Sequence, residues 1–207
     1  VFASGYISDP EISCVTVDNV AGAYDIVEFL CQAGHRDIAF IKGPDLDLLA
    51  SQERLRGVKL ALRLSEIKYN PNRFIEGDFT FESGYSAAEK IINKFPDVTA
   101  IFAFNDEMAV GAIRYLKEQN IKVPEEISVV GFDGIELGKY TDPSLTTIEQ
   151  SGYQLGLKRI EMLNKIINKE KIEDNKVFIP NKLVVRESTN KLNELTTNKG
   201  VVTNNRG

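Results

Sequence analysis

Apolar residues in this chain alternate between two textures. Short runs rich in β-branched and aromatic side chains, at 14–17, 38–41, 100–104 and 127–132, are apolar at successive positions. Each is too short for a helix, and being apolar on both faces they read as parallel strands covered on both sides. Between them the apolar positions recur every three or four residues, as on one face of a helix. Val20, Tyr24, Val27 and Cys31 line the first such face, with Gly34 placed to stop it in the left-handed conformation. Leu55, Val58 and Leu62 line the second, and Tyr85, Ala88 and Ile92 the third. Ala109, Ala112, Ile113 and Leu116 line the fourth, which ends at Asn120 ahead of Pro124. Strand and helix in strict alternation predict an α/β fold: a parallel sheet with right-handed crossovers and helices on both faces.

Two stretches break the rhythm. Residues 145–148 read as a strand, after which Gly156, Ile160, Leu163 and Ile167 are expected to form the buried face of a long helix. A last apolar run at 183–185 follows Pro180 and returns to a sheet. Ahead of the first full unit stand only Val1-Phe2 and a turn-rich stretch at 4–10. Opening on a strand-like residue without methionine, the chain reads as cut from a longer one. From Lys191 the residues are polar, rich in Asn, Thr and Lys, and are expected to form a disordered tail.

Composition narrows the function classes. With 43% apolar and 27% charged residues the chain is of ordinary globular type, and its formal net charge of -5 will not hold a polyanion by bulk electrostatics. Any DNA-binding part would lie outside it. Cys14 and Cys31 sit in apolar runs and read as small packed hydrophobes, reduced and cytosolic, without metal-ligand spacing. No stretch has the length and apolarity of a membrane span, and no secretory leader is visible, so a cytoplasmic location is expected.

In an open parallel sheet, ligands bind where the loops leave the carboxyl ends of the strands. Asn105 and Asp106 follow one run, Asp133 and Gly134 another, and Gly77, Asp78 and Phe79 follow the strand-like 74–76. The loop after 38–41, at 43–51, delivers Arg54 near a helix start. Arginine, amide, carboxylate and aromatic ring make a set suited to a polyol. Arg and Asp bridge adjacent hydroxyls, Asn donates and accepts, and a ring covers the apolar face of a sugar. Each residue also has a plainer reading: Asp106 as the helix N-cap, Asn105 and Asp133 as turn residues, Phe79 as core. Asp106 is assigned to the cap. The candidate ligand-binding set is Arg54, Phe79, Asn105 and Asp133. Nothing catalytic stands beside it: His35 is the single histidine, at a helix end, and no nucleophile elbow, P-loop or Gly-rich dinucleotide motif follows a strand. No catalytic residue, metal or cofactor is expected.

These same stretches resemble the sugar-responsive repressors of the LacI/GalR type. The matching segments are Gly34-His35-Arg36-Asp37-Ile38-Ala39-Phe40, Arg54-Leu55-Arg56-Gly57, Glu76-Gly77-Asp78-Phe79 with Ser83-Gly84, and Phe104-Asn105-Asp106-Glu107-Met108-Ala109. Two more are Ile127-Ser128-Val129-Val130-Gly131-Phe132-Asp133 and Thr141-Asp142-Pro143-Ser144-Leu145-Thr146-Thr147-Ile148. The resemblance implies a periplasmic-binding-protein-like type I fold, with the C-terminal lobe complete and the N-terminal lobe truncated. On that plan residues 1–17 are an N-terminal-lobe remnant, 18–147 the C-terminal lobe, 148–175 an N-terminal-lobe helix segment, 176–190 the return strand and 191–207 the tail. By resemblance Arg54, Asn105 and Asp133 match effector-contacting positions and Phe79 an aromatic one. It further implies a homodimer, formed partly through the helix with Val110 and Arg114 and the segment near Tyr140. Operator DNA would be bound through a helix-turn-helix head that this chain lacks. Within the family the chain is similar to catabolite-control proteins, whose corepressor is serine-phosphorylated HPr. Tyr153 and Lys165 match the receiving helix, but Glu161 replaces a basic residue and would repel the phosphate, which favours a sugar-type small-molecule effector. The implied function is the effector-binding and dimerisation region of a bacterial transcriptional regulator. The alternative is a periplasmic sugar-binding protein serving a transporter.

Overall fold

The structure, a computed structural model, describes residues 12–44 and 49–192. The expected lead-in at 1–10, part of the loop at 43–51 and the tail beyond Leu192 lie outside the described residues. The elements run in the order β1 (Cys14–Val17), α1 (Asn19–Gln32), β2 (Ile38–Lys42), α2 (Leu49–Leu64), β3 (Phe74–Glu76), α3 (Phe81–Lys94), β4 (Ala100–Ala103), α4 (Asp106–Glu118) and β5 (Ser128–Val130). They continue with β6 (Thr147–Glu149), α5 (Gly152–Ile167), β7 (Lys176–Ile179) and β8 (Lys182–Val184). Short 3-10 turns at Pro71–Arg73 and Glu136–Lys139 join the larger elements.

Strands β3, β2, β4 and β5 form one all-parallel sheet in that order. Residues of β2, β4 and β5 are buried on both faces, which is why those runs lack polar alternation. Helices α1 and α2 pack as one pair and α3 and α4 as the other. Both pairs approach closely at a glycine. A Cβ on Gly57 would lie 2.2 Å from the Val20 carbonyl, and one on Gly84 2.2 Å from that of Met108. Phe40, Phe102, Phe104 and Phe132 fill the centre of the core. Gly34 (φ 97°) and Asn120 (φ 58°) take the left-handed conformation just past α1 and α4. The thiols of Cys14 and Cys31 are both buried and unbridged.

The rest of the chain forms a smaller unit. β1 pairs in parallel with β7, and Val15, Val17, Leu155, Met162 and Ile179 make a separate apolar cluster beneath α5. Lys176–Ile179, placed from the sequence in the return to the larger lobe, is thus hydrogen-bonded to β1 instead. The return begins after it, where β8 runs antiparallel to β6. Three chain segments therefore cross between the units: after Val17, after Glu149 and after Ile179.

The apolar face of α5, read as the helix's buried face but one that a truncated lobe would leave short of partner surface, is largely exposed. Ile160 and Ile167 are 60% and 67% exposed and Leu163 44%, whereas Leu155 and Met162 are the residues turned inward. Two strands cover one line of the helix only, and Arg159 on the covered side donates to the Val15 carbonyl. Burying each of these side chains would contribute about 1.5–3 kcal/mol that α5 does not receive here. Hydrogen exchange should therefore divide the molecule. Amides of α1, α3, α4 and the four-stranded sheet should exchange near the global unfolding limit, and those of Gly152–Ile167 at least about tenfold faster. Equal protection of α5 in the monomeric chain would contradict this account.

Candidate functional site

At the carboxyl edge of the four-stranded sheet the loops after β2, β3, β4 and β5 converge with the second turn of α2. Arg54 lies at the centre, only 6% exposed. Its Nε donates to Asn19 Oδ1 (2.9 Å), its Nη2 to Asp133 Oδ1 (2.9 Å), and its Nη1 to the Phe104 carbonyl. The guanidinium lies 3.8 Å over the centre of the Phe132 ring. Asn19 in turn donates to Glu53 Oε2 (3.0 Å), whose carboxyl burial pushes above its ordinary range.

Asp133 stands just past β5 with φ 118°, a backbone region that L-residues rarely adopt. Its amide donates to the Ile148 carbonyl, and its own carbonyl accepts from the Gln150 amide. The side chain of Gln150 adds a bond from Nε2 to Asp133 Oδ1 (2.8 Å). Oδ1 thus accepts twice, while Oδ2 has no protein donor among the described residues. The side chain is one-third exposed. Burial pushes its carboxyl up to about 6 against the pull of Arg54.

Asn105 is the N-cap of α4: its Oδ1 accepts from the Met108 amide (3.0 Å) and its Nδ2 donates to the Phe79 carbonyl (2.8 Å). Asp106, assigned from the sequence to that cap, is instead the first helical residue and fully buried. Its carboxylate accepts from Thr147 Oγ1 (2.6 Å) and the Ile135 amide (2.8 Å), across the chain from its own helix. Burial raises its pKa, and those donors hold it down in part. Phe79 packs partly on the core, with φ 69° and its ring against Gly43 in the loop after β2.

All four predicted site residues are therefore brought together. Phe79 bonds Asn105, the carbonyl before Asn105 receives Arg54, and Arg54 holds Asp133. Sequence reasoning did not find Asn19, Gln150 or Asp106 in these roles. Asn19 and Gln150 each stand next to a crossing between the two units, which is the signal that would have marked them. His35 is elsewhere, buried, with its ring nitrogens bonded to Thr99 Oγ1 and the Asn190 carbonyl. Among the described residues no three metal-ligating side chains converge, and no helix is long and apolar enough to cross a membrane.

Residues 27–189 match the family of periplasmic binding protein-like domains. The chain is 33% identical to catabolite control protein A of Priestia megaterium over 189 residues, covering 91% of this chain and 57% of that protein. It is 35% identical to the HTH-type transcriptional repressor CytR of Escherichia coli K12 over 192 residues, 93% of this chain and 56% of that one. Among solved structures, the transcriptional regulator CelR–cellobiose complex superposes with a TM-score of 0.83 at 34% identity, over 88% of this chain and 55% of that chain. The chain thus spans little more than half the length of these regulators.

The buried carboxylate of Asp106 is open to direct test. In Asp106→Asn the oxygen can keep the Ile135 amide while the amide donates to the Thr147 hydroxyl, which must then turn its proton toward the Ile148 carbonyl, so two charge-assisted bonds become neutral ones. The variant should lose about 0.5–1.5 kcal/mol in urea unfolding, and Thr147→Val, which leaves a buried carboxylate oxygen without its donor, about 1–3 kcal/mol. Unfolding of Asp106→Asn at the wild-type midpoint would show that the carboxylate does not hold this crossing.

Proposed function

The chain belongs to the family of periplasmic binding protein-like domains, in the form found in LacI-type regulators, and from that membership we propose that it is the effector-binding and dimerising part of a bacterial transcriptional regulator. Its effector is a sugar or sugar phosphate. The protein is not an enzyme, works in the cytoplasm as a homodimer, and reaches operator DNA through a helix-turn-helix head outside this chain. The observation that carries the reading is the Asp133 carboxylate. One oxygen is held by Arg54 and Gln150, the other has no donor among the described residues, and the Asn105 amide bonds the Phe79 carbonyl at the same edge. A polyol placed there would donate adjacent hydroxyls to Oδ2 and stack its apolar face on the ring. That the relative CelR has been solved with cellobiose supports this ligand class over the transporter alternative, since the relatives are regulators.

Because Asp133 and Gln150 join the large unit to a segment crossing into the small one, a bound effector favours one arrangement of the two units. In the whole regulator that choice sets the spacing of the DNA-binding heads.

Asp133→Ala in the full-length regulator should weaken effector binding by about 2–4 kcal/mol and, because buried Arg54 loses its carboxylate partner, should also lower the melting temperature. The pH dependence follows from the raised carboxyl. The ionised form accepts the hydroxyls, so affinity is full above pH about 6 and falls as the pH drops through that value. Calorimetry after a thermal-shift screen of sugars and sugar phosphates measures both. Unchanged affinity in Asp133→Ala removes the residue from the site.

The match to catabolite control protein A favours a second reading, corepression by serine-phosphorylated HPr. Against it, Glu161 is exposed on α5 and pairs with Lys158 at 2.6 Å, which withdraws a cation from any phosphate. Wild type should bind phosphorylated HPr poorly in surface plasmon resonance, and Glu161→Arg should bind it better. Tight binding by wild type would make HPr the corepressor.

A further inference from the structure

The amino edge of the same sheet, opposite Arg54, carries a second concavity that the effector reading does not use. A cavity of about 520 Å³ opens where β2 and β3 begin, walled by Ile38, Phe40, Leu62 and Phe74. Its size is within the range of small-molecule sites. The rings inside are ordered: Phe40 and Phe74 stack at 4.4 Å, and Tyr69 leans on Phe74 at 5.2 Å. Tyr69 remains 38% exposed at the mouth. A more open hollow of about 730 Å³ adjoins it, sharing Ile67, Lys68 and Tyr69.

The charge of this face runs against that of the chain. Arg56, Lys59 and Arg63 follow one another along the solvent side of α2, and Lys68 continues the line beyond the helix end. None of the four is in an ion pair among the described residues. Lys59 Nζ sits 4.7 Å over the Tyr69 ring, and Glu66 is the one acid lining the open hollow. Arg73 on the far wall is engaged through Nη2 by Asp37 and Asp97, while its buried Nη1 has no partner among the described residues, and Arg36 is engaged by the Cys31 and His35 carbonyls. In a chain of net charge -5, four unpaired cations around an aromatic-walled cavity focus a positive potential onto it.

We propose that this hollow is a second ligand site, taking a small organic anion in which a phosphate is joined to a flat ring, of the nucleoside monophosphate type. The ring enters the cavity beside Tyr69, along the accessible part of Phe74, and the phosphate stays at the mouth with Lys68 and Arg63. Neither part alone uses both features. An uncharged ring leaves the cations unmatched, and a phosphate without a flat ring leaves Tyr69 and the half-buried Phe74 in water.

Calorimetry on the 207-residue chain, with adenosine monophosphate as the probe, decides the matter. The nucleotide should bind below about 1 mM, with adenosine and ribose 5-phosphate each at least about tenfold weaker, and the affinity should fall with added salt. Lys68→Glu and Tyr69→Ala should each weaken it at least about tenfold, Lys68→Glu with an unchanged unfolding midpoint. Asp133→Ala should leave it unaltered, which separates this site from the effector edge. No binding of the nucleotide at millimolar concentration overturns the proposal. So does binding indifferent to Lys68 and Tyr69, or binding abolished by Asp133→Ala.

Discussion

A guanidinium that cannot give up its charge is buried at the carboxyl edge of the sheet, and the surrounding elements are arranged to satisfy it. Stripping an unpaired cation of water would cost several kcal/mol, more than most domains can lose. Arg54 escapes that cost because each of its three nitrogens is bonded and its face lies on a ring. The partners come from the start of α1, the end of β4 and the end of β5, so no one of these elements can shift without loosening the others. A ligand that meets this edge meets groups already held in place, which removes part of the ordering cost of binding.

The constraint passes through Asp133 to the chain crossings. A non-glycine residue at φ 118° costs on the order of 1–3 kcal/mol, and persists only where its surroundings over-determine it. Here the Ile148 carbonyl, the Gln150 amide and the Gln150 side chain all fix it. Asp106 pins the following turn through the Ile135 amide and the crossing strand through Thr147. The carboxylate proposed to meet the effector is therefore part of the joint between the units. Under that proposal, occupancy and arrangement of the units would be linked by this geometry without any longer relay.

What the sequence disclosed follows from which interactions are local. Strand runs such as 14–17 and 74–76, and the stop at Gly34, were legible because each residue's role depends on its near neighbours. The convergence of Arg54, Phe79, Asn105 and Asp133 was legible because a parallel sheet must present its carboxyl ends together. The division of labour between Asn105 and Asp106 was not. Both residues suit a cap, and the choice was made by Thr147 and Ile135, some thirty to forty residues away, which claim the Asp106 carboxylate. Lys176–Ile179 was assigned to the wrong sheet because its short apolar run, Val177-Phe178-Ile179, reports a strand but not which strand lies beside it. The exposure of Ile160, Leu163 and Ile167 was foreseeable only from the truncation of the smaller lobe, on which the helical pattern itself is silent. A helical period reports which face is apolar, and only the tertiary structure reports whether anything lies against it.

Helix α2 ties the two ends of the sheet together. Its second turn holds Arg54 against Asp133 and Phe104, while its last turn puts Leu62 into the wall of the basic hollow and Arg63 at its mouth. Between them, at Gly57, the helix touches the Val20 carbonyl of α1 too closely for any side chain, and Val58 and Ala61 lie in the core. A packed helix of this kind moves as a rigid rod, since close-packed interiors repack in discrete steps and do not deform smoothly. Charge placement follows the same logic: the buried arginine faces the effector edge with its charge fully used, and the unpaired cations stand on the helix's solvent side.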